Sequence, residues 1–549
     1  IGSPDYLPKQ QVPQQFQYTD VLSWNRGAHS LRFGVDVRAP MRNLYQDQAS
    51  TRGSLTFNGG FSGQPYADAL LGYVYQGTLN NVFFVDQRLW MTSGFVQDDW
   101  KITPKLTLNL GLRYDFATPV YEGKNQQANF IAANGGSLIY AKDGSLEDRT
   151  LVKVNTKNFA PRFGLAYALN DKTVLRGGYG IYNLLFQRAG SENQLALNPP
   201  YLRQTTLLSN KNQPAFLLRN GFPPNLLDPA NINLANSHIR TVDPNSPTPY
   251  VQQWSFGFQR QLPGQFVFTT DYVGTKSTHL DLIYNLNQLV SGVLPYQRFG
   301  YVEYQQSVGN GSYNGLETSV QRRFTNGLSV NAAYTWSKSI QTAYGQYFTR
   351  GLSGFDVPHR FVFSYVYELP FGRNKPLLST GLGAALLGGW RSSGVYTYST
   401  GLPFSVTSGG NYNTAIDPFG ATTAYPNVIG TPQTVGSIDC WFYISTNRAC
   451  RGLAPNTSDA FRLAPSGQFG NAGVNILRGP HATVFDFSLM RDFSLTERAN
   501  LQFRWEVFNL TNTPMFSLPS SALTSGSVGT ITSLAGDPRV MQAALRFSF

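Results

Sequence analysis

The sequence predicts an all-β chain that crosses a membrane as an antiparallel β-barrel. Three observations carry this reading. Stretches alternate apolar and polar residues with a period of two, connections alternate between short and long, and no apolar run is long enough for a spanning helix. The clearest stretch is 95–115, FVQDDWKITPKLTLNLGLRYD. After a turn at 101–105, Leu106, Leu108, Leu110, Leu112 and Tyr114 fall on one face, and Thr107, Asn109, Gly111, Arg113 and Asp115 on the other. A soluble sandwich would put the Leu row in a core, whereas a barrel would put it in lipid and the polar row in a wet lumen. One strand leaves both open.

Composition bears on the choice. Of 549 residues only 13% are charged, against about a quarter in soluble domains. Aromatics reach 14%, yet mean hydropathy is −0.24. Strands apolar on one side only have this balance. The best apolar runs, 67–75 and 381–390, are far too short to span as helices.

Taken in order, a first hairpin joins 16–23 to 30–38, with Leu31, Phe33, Val35 and Val37 opposite Arg32, Gly34, Asp36 and Arg38. Weak strands are expected at 54–58 and 68–76, and a firmer one at 88–100 leads into 106–115. The pattern then repeats at 159–169 with 173–182, 253–261 with 265–274, 313–324 with 328–338, 360–369 with 390–400, 483–493 with 499–508, and finally 541–549. Turns at 101–105, 170–172, 262–264, 325–327 and 494–498 are short. Segments 117–157, 184–249, 276–311, 339–358, 401–480 and 510–538 are long. A compact soluble domain does not hold so many long loops. An outer-membrane barrel does, with short periplasmic turns and long extracellular loops. Trp100, Tyr114, Trp336 and Trp390 near strand ends suit interface girdles.

About sixteen or seventeen strands are expected, and the first and last run the same way. An antiparallel sheet does not close on two such strands. The chain therefore reads as a C-terminal part of something longer. Residue 1 is Ile, so the alternative source of this start is removal of a signal peptide.

Several segments resemble the TonB-dependent transporter superfamily, Oar-like branch: 95–115, APRFGLAYALNDKTVLRGGYGIYN (160–183), YVGTKSTHL (272–280), NGLSVNAAYTWSKS (326–339), GGWRSSGVYTYSTGLPFSV (388–406), LRGPHATVFDFSLMRDF (477–493) and LQFRWEVFNLTNTPMF (501–516). The resemblance runs in order along nearly the whole chain. It implies a twenty-two-stranded outer-membrane barrel, with 1–549 its partial barrel domain. It also implies a plug domain and a carboxypeptidase-regulatory-like domain, neither legible here. The implied activity is uptake of a scarce bulky solute such as a siderophore, carbohydrate or peptide, energised through TonB. The implied partners are outer-membrane lipid and lipopolysaccharide, the plug, the TonB complex, the barrel-assembly machinery and the solute. Leu545, Phe547 and Phe549 resemble the C-terminal signal read by that machinery.

The net charge of +12 raises the question of nucleic acid, but Lys and Arg are dispersed and form no block, so nucleic acid is not expected as a partner. Cys440 and Cys450 read as a small loop disulfide in an oxidising compartment. A metal pair is the weaker reading, since no His accompanies them. His29, His238, His279, His359 and His481 are scattered; no metal, cofactor or catalytic set is expected and the chain reads as no enzyme. On a barrel, Arg113, Asp115, Arg162, Arg176, Asp486, Arg504 and Glu506 would line the lumen, pair with one another and meet the plug; contact with solute is the second reading. Competing roles are surface display or adhesion through the long loops, and a passive porin.

Overall fold

A period of two lets each strand pair in one register without turning its charges to the wrong side. The computed structural model describes residues 10–45, 50–185, 194–210, 212–342, 349–419, 422–454 and 457–549. Their strands form one 19-stranded sheet and several small ones. Fifteen long strands follow chain order around the large sheet: β1 (Gln10–Arg26), β2 (His29–Tyr45), β3 (Met91–Thr103), β4 (Leu106–Ala117), β5 (Phe159–Asn170), β6 (Thr173–Asn183), β7 (Tyr250–Leu262), β8 (Phe266–Asn285), β9 (Val302–Thr325), β10 (Leu328–Thr342), β11 (His359–Glu368), β12 (Trp390–Ser399), β13 (Ala482–Ser494), β14 (Asn500–Phe508) and β15 (Val540–Ser548). Each is antiparallel to the next. β1 and β15 therefore run the same way. Among the described residues β1 pairs with β2 only, and β15 with β14 only.

The turns follow local chemistry. Between β9 and β10, Asn326 and Gly327 take φ 50° and 78°, the left-handed pair that a tight hairpin turn requires and that Asn-Gly adopts readily. Thr325 then faces Leu328. At the other end the strands outrun the bilayer. β8 and β9 continue to Asn285 and back from Val302, well past the roughly ten residues that a crossing needs.

The weak pair expected at 54–58 and 68–76 is not in the wall. Ser54–Thr56 is a short strand of a small sheet with Gln76–Asn80 and Gln204–Leu208. Residues 68–71 are helical, because Pro65 opens the helix Pro65–Leu71 and Gly72, at φ 73°, closes it, and strand resumes only in the short pieces Tyr73–Val74 and Gln76–Asn80. The remaining members of the large sheet are short strands at the loop end: Phe84–Arg88, Tyr121–Glu122, Ile239–Val242 and Arg350–Leu352.

Buried apolar side chains gather in the loops rather than along the wall. One cluster joins Phe404, Val406, Phe442, Ile444, Phe461 and Val528, and another Phe130, Ile239, Phe299 and Val302. Cys440 and Cys450 are joined as a disulfide inside the first cluster. Distant loops are tied by buried polar groups. Asn285 donates to the fully buried Asp417 at 2.8 Å, and Asn198 donates to the carbonyls of Ala128 and Arg240, each at 2.7 Å. The loop end is thus a folded cap. The wall instead leaves its apolar rows exposed, as at Leu110, Leu112, Phe163, Phe256 and Leu545.

Candidate functional site

Cross-strand register carries each face of the wall from strand to strand. Arg113 faces Ala160 on β5, and Ala166 on the same row faces Arg176 on β6. Arg176 leads through Gly257, Asp271, Glu317, Thr335 and Arg360 to Ser399 and Ala482. Asp486 shares that side of β13, and Ser488 faces Glu506 on β14. Arg113, Asp115, Arg162, Arg176, Asp486, Arg504 and Glu506 therefore stand on one face. The Leu, Phe and Tyr rows stand on the other.

Two pairs among the seven are in contact. Arg113 Nε donates to Asp115 Oδ1 at 2.7 Å, and Arg504 lies 3.5 Å from Glu506. Asp115 is buried, and also accepts from Ser93 Oγ at 2.7 Å and from Asn183 Nδ2 at 3.1 Å. Gln542 donates to Glu506 at 2.5 Å. Asp486 accepts the Asn509 backbone N–H at 2.9 Å. Arg162 lies over the Tyr182 ring, 4.6 Å from its centroid. The structure brings Arg176 to none of the other six.

Charges outside that set complete the face. Asp36 pairs with Arg38 at 2.5 Å. Arg391 pairs with Asp492 at 3.1 Å, and Gln502 donates to Asp492 at 2.8 Å. Asp271 and Glu317 stand directly opposite one another. The same alternation that exposed Arg113 marks all of these, because each sits two, four or six residues from another polar-face residue.

A hollow of about 750 Å³ opens on this face across β3 to β8. Its rim holds Phe95, Gln97, Arg113, Arg162, Tyr182 and Gln253, and its floor is the bare backbone of Gly111, Gly164, Gly178 and Gly180. Two guanidiniums, amides and a tyrosine make it a surface of donors, with no nucleophile beside a base. Among the described residues no group of three His, Cys, Asp or Glu could hold a metal.

The apolar face is banded. Trp100 stacks on His29 at 5.2 Å, and Trp390 meets Phe503 edge-on at 5.9 Å, both near the turn end. Tyr114 meets Phe159 at 4.9 Å at the loop end, where Trp336 is also exposed. From Leu108, opposite Trp100, to Tyr114 the strand advances roughly 20 Å at about 3.4 Å per residue, or roughly 15 Å of height at a tilt of about 40°, which fits within the apolar band of an outer-membrane barrel, about 25 Å tall.

A family model described as outer membrane beta barrel domain matches residues 1–542. No curated protein matches the chain. Among solved structures, the outer membrane transporter YddB from Escherichia coli is 11% identical, with 98% of this chain and 54% of that chain covered and a TM-score of 0.51. The siderophore receptor PirA from Acinetobacter baumannii is 10% identical, with 98% and 55% covered and a TM-score of 0.47. The ferripyoverdine receptor of the outer membrane of Pseudomonas aeruginosa is 10% identical, with 100% and 50% covered and a TM-score of 0.46. The chain spans about half the length of these structures.

Proposed function

This chain belongs to the outer membrane beta barrel domain family and sits in the bacterial outer membrane, and from that premise we propose that it forms the barrel wall of a TonB-dependent transporter importing a scarce, bulky solute. The observation that supports this most is the polar face. Its charges are paired in place, as at Arg113–Asp115 and Arg391–Asp492, and across β3 to β8 it holds a glycine-floored hollow with room for a packed occupant. In this reading the seven charges, Arg176 among them, meet a plug domain, and energy arrives through the TonB complex. The cap captures the solute outside, next to lipopolysaccharide, and the assembly machinery inserts the wall by its last strand.

The hydrophobic clusters of the cap favour a second role, display of a rigid surface for adhesion. Uptake separates the two. Cells making the protein are given labelled siderophores, oligosaccharides and peptides, before and after collapse of the inner-membrane proton gradient. Gradient-dependent accumulation of one class is expected. Accumulation that survives the collapse points to a porin, and none at all to display.

A further inference from the structure

The wall has one irregular connection at its turn end. Segment 369–389 joins β11 to β12 on the side where every neighbouring turn is short, since Glu368 N–H donates to Gly327 O beside the β9–β10 hairpin at 2.7 Å. It carries the helix Gly381–Leu387, sequence GLGAALL. Leu382 and Leu386 are 81% and 67% exposed, and Leu377, Leu378 and Leu387 are exposed as well. In a water-facing turn such a cluster has no cover.

The position of the helix supplies the cover. Trp390 and Arg491 face each other across β12 and β13 on the apolar side of the wall. Trp390 Nε1 donates to Leu386 O at 3.0 Å. Arg491 Nη1 donates to Leu386 O at 2.7 Å, and its Nη2 reaches Ala385 O. The guanidinium also lies 4.4 Å from the centroid of the Phe493 ring. Two side chains of the lipid-facing row therefore clamp the last carbonyls of the helix. This fixes the helix outside the wall, at the level of the turn-end aromatic band. An Arg on a lipid face is tolerated near the interface when its donors are satisfied, and here the helix supplies the acceptors.

We propose that the leucine cluster of 377–387 is an interfacial anchor, inserted into the periplasmic leaflet of the outer membrane and held there by Arg491 and Trp390. The partner is phospholipid, because the cluster continues the face that the barrel turns to lipid. The inference rests on the membrane-barrel reading but not on transport. Short amphipathic segments with bulky apolar residues and an aromatic at the rim bind at this depth.

The test is an environment-sensitive dye on Leu382→Cys. The native cysteines are both in the disulfide, so the new thiol is the only free one. The protein is purified from outer membranes and reconstituted in phosphatidylethanolamine–phosphatidylglycerol vesicles. A wall control carries the dye at Leu112→Cys, and Leu386→Cys serves as a second helix position. Blue-shifted emission at the helix, lost on adding spin-labelled lipid and insensitive to iodide, is expected. Water-like emission at the helix with lipid-like emission at Leu112 overturns the anchor and leaves the barrel standing. Water-like emission at both sites overturns the anchor together with the barrel. Blue-shifted emission that spin-labelled lipid does not quench, with cross-linking between two copies, assigns the cluster to self-association and overturns it too.

Discussion

Asp115 shows how much one side chain of the wall is asked to do. It is buried, and three donors converge on it from β4, β3 and β6. Arg113→Leu removes the charged donor and leaves the carboxylate with two neutral ones. Loss of a hydrogen bond to a charged group costs about 1.5–3 kcal/mol, so the unfolding midpoint in urea should fall while the inserted amount stays normal. A loss of inserted protein as large as the loss of stability would show instead that the pair is needed to assemble the wall. Outside the bilayer, Asp148 caps the helix Leu146–Thr150. The Ser145 hydroxyl and N–H, with Lys142 nearby, hold its carboxyl below the usual carboxylate range. A depressed value means that this stabilisation is present above the unfolded value of about 3.9 and is lost as pH falls through the folded one. The protection factors of the amides over 142–150, taken against the intrinsic exchange rate at each pH, should therefore fall on acidification, and in Asp148→Asn they should be low at every pH. The i, i+2 pair Arg113–Asp115 was legible in sequence, since a strand puts alternate residues on one side. The contact from Asn183 was not, because only the pairing of β4, β5 and β6 brings it near.

At the scale of elements, the wall strands were legible because their signal is local and strict. Where the sequence was misread, other rules won. The helix Pro65–Leu71, started by its Pro and ended by Gly72, runs into the first part of 68–76, and the GLGAALL run reads in sequence only as an apolar stretch too short to span. The turn Asn326–Gly327 offers a direct check of hairpin chemistry. Gly327→Ala puts a Cβ at φ 78° and 3.2 Å from Glu368 Cβ. A mismatch of this kind destabilises by about 1 kcal/mol or more, and should appear as a lower urea midpoint with an unchanged strand signal in circular dichroism. A midpoint equal to the parent's would mean the turn relaxes to another type. Gly34 makes the same point inside the wall, since an added Cβ would lie 2.2 Å from the Phe95 ring.

For the molecule as a whole, the last strand and the cap behave as separate units. Phe549 is 95% exposed at the end of the Leu545–Phe547 row. Deleting it should lower the heat-modifiable, inserted fraction without changing the stability of the molecules that do insert; normal insertion of the shortened chain would remove it as an assembly signal. Cys440→Ser with Cys450→Ser should loosen the 401–481 loop to protease while β11 to β14 keep their resistance, because the disulfide lies wholly within the cap. Of the cap's architecture, the Cys440–Cys450 link was readable beforehand because it is local; the contacts that join segments far apart in the chain, such as Asn285 with Asp417 and Asn475 with Leu352 O, were not. Arg478 adds a pairing with the buried Asp356, and Trp441 donates to Arg478 O at 2.6 Å. Such clasping means that a single scissile event out there severs the polypeptide without releasing either stump. A nicked molecule would migrate as one band until denaturant parts the halves, so intact mobility on a mild gel is no proof of an unbroken backbone.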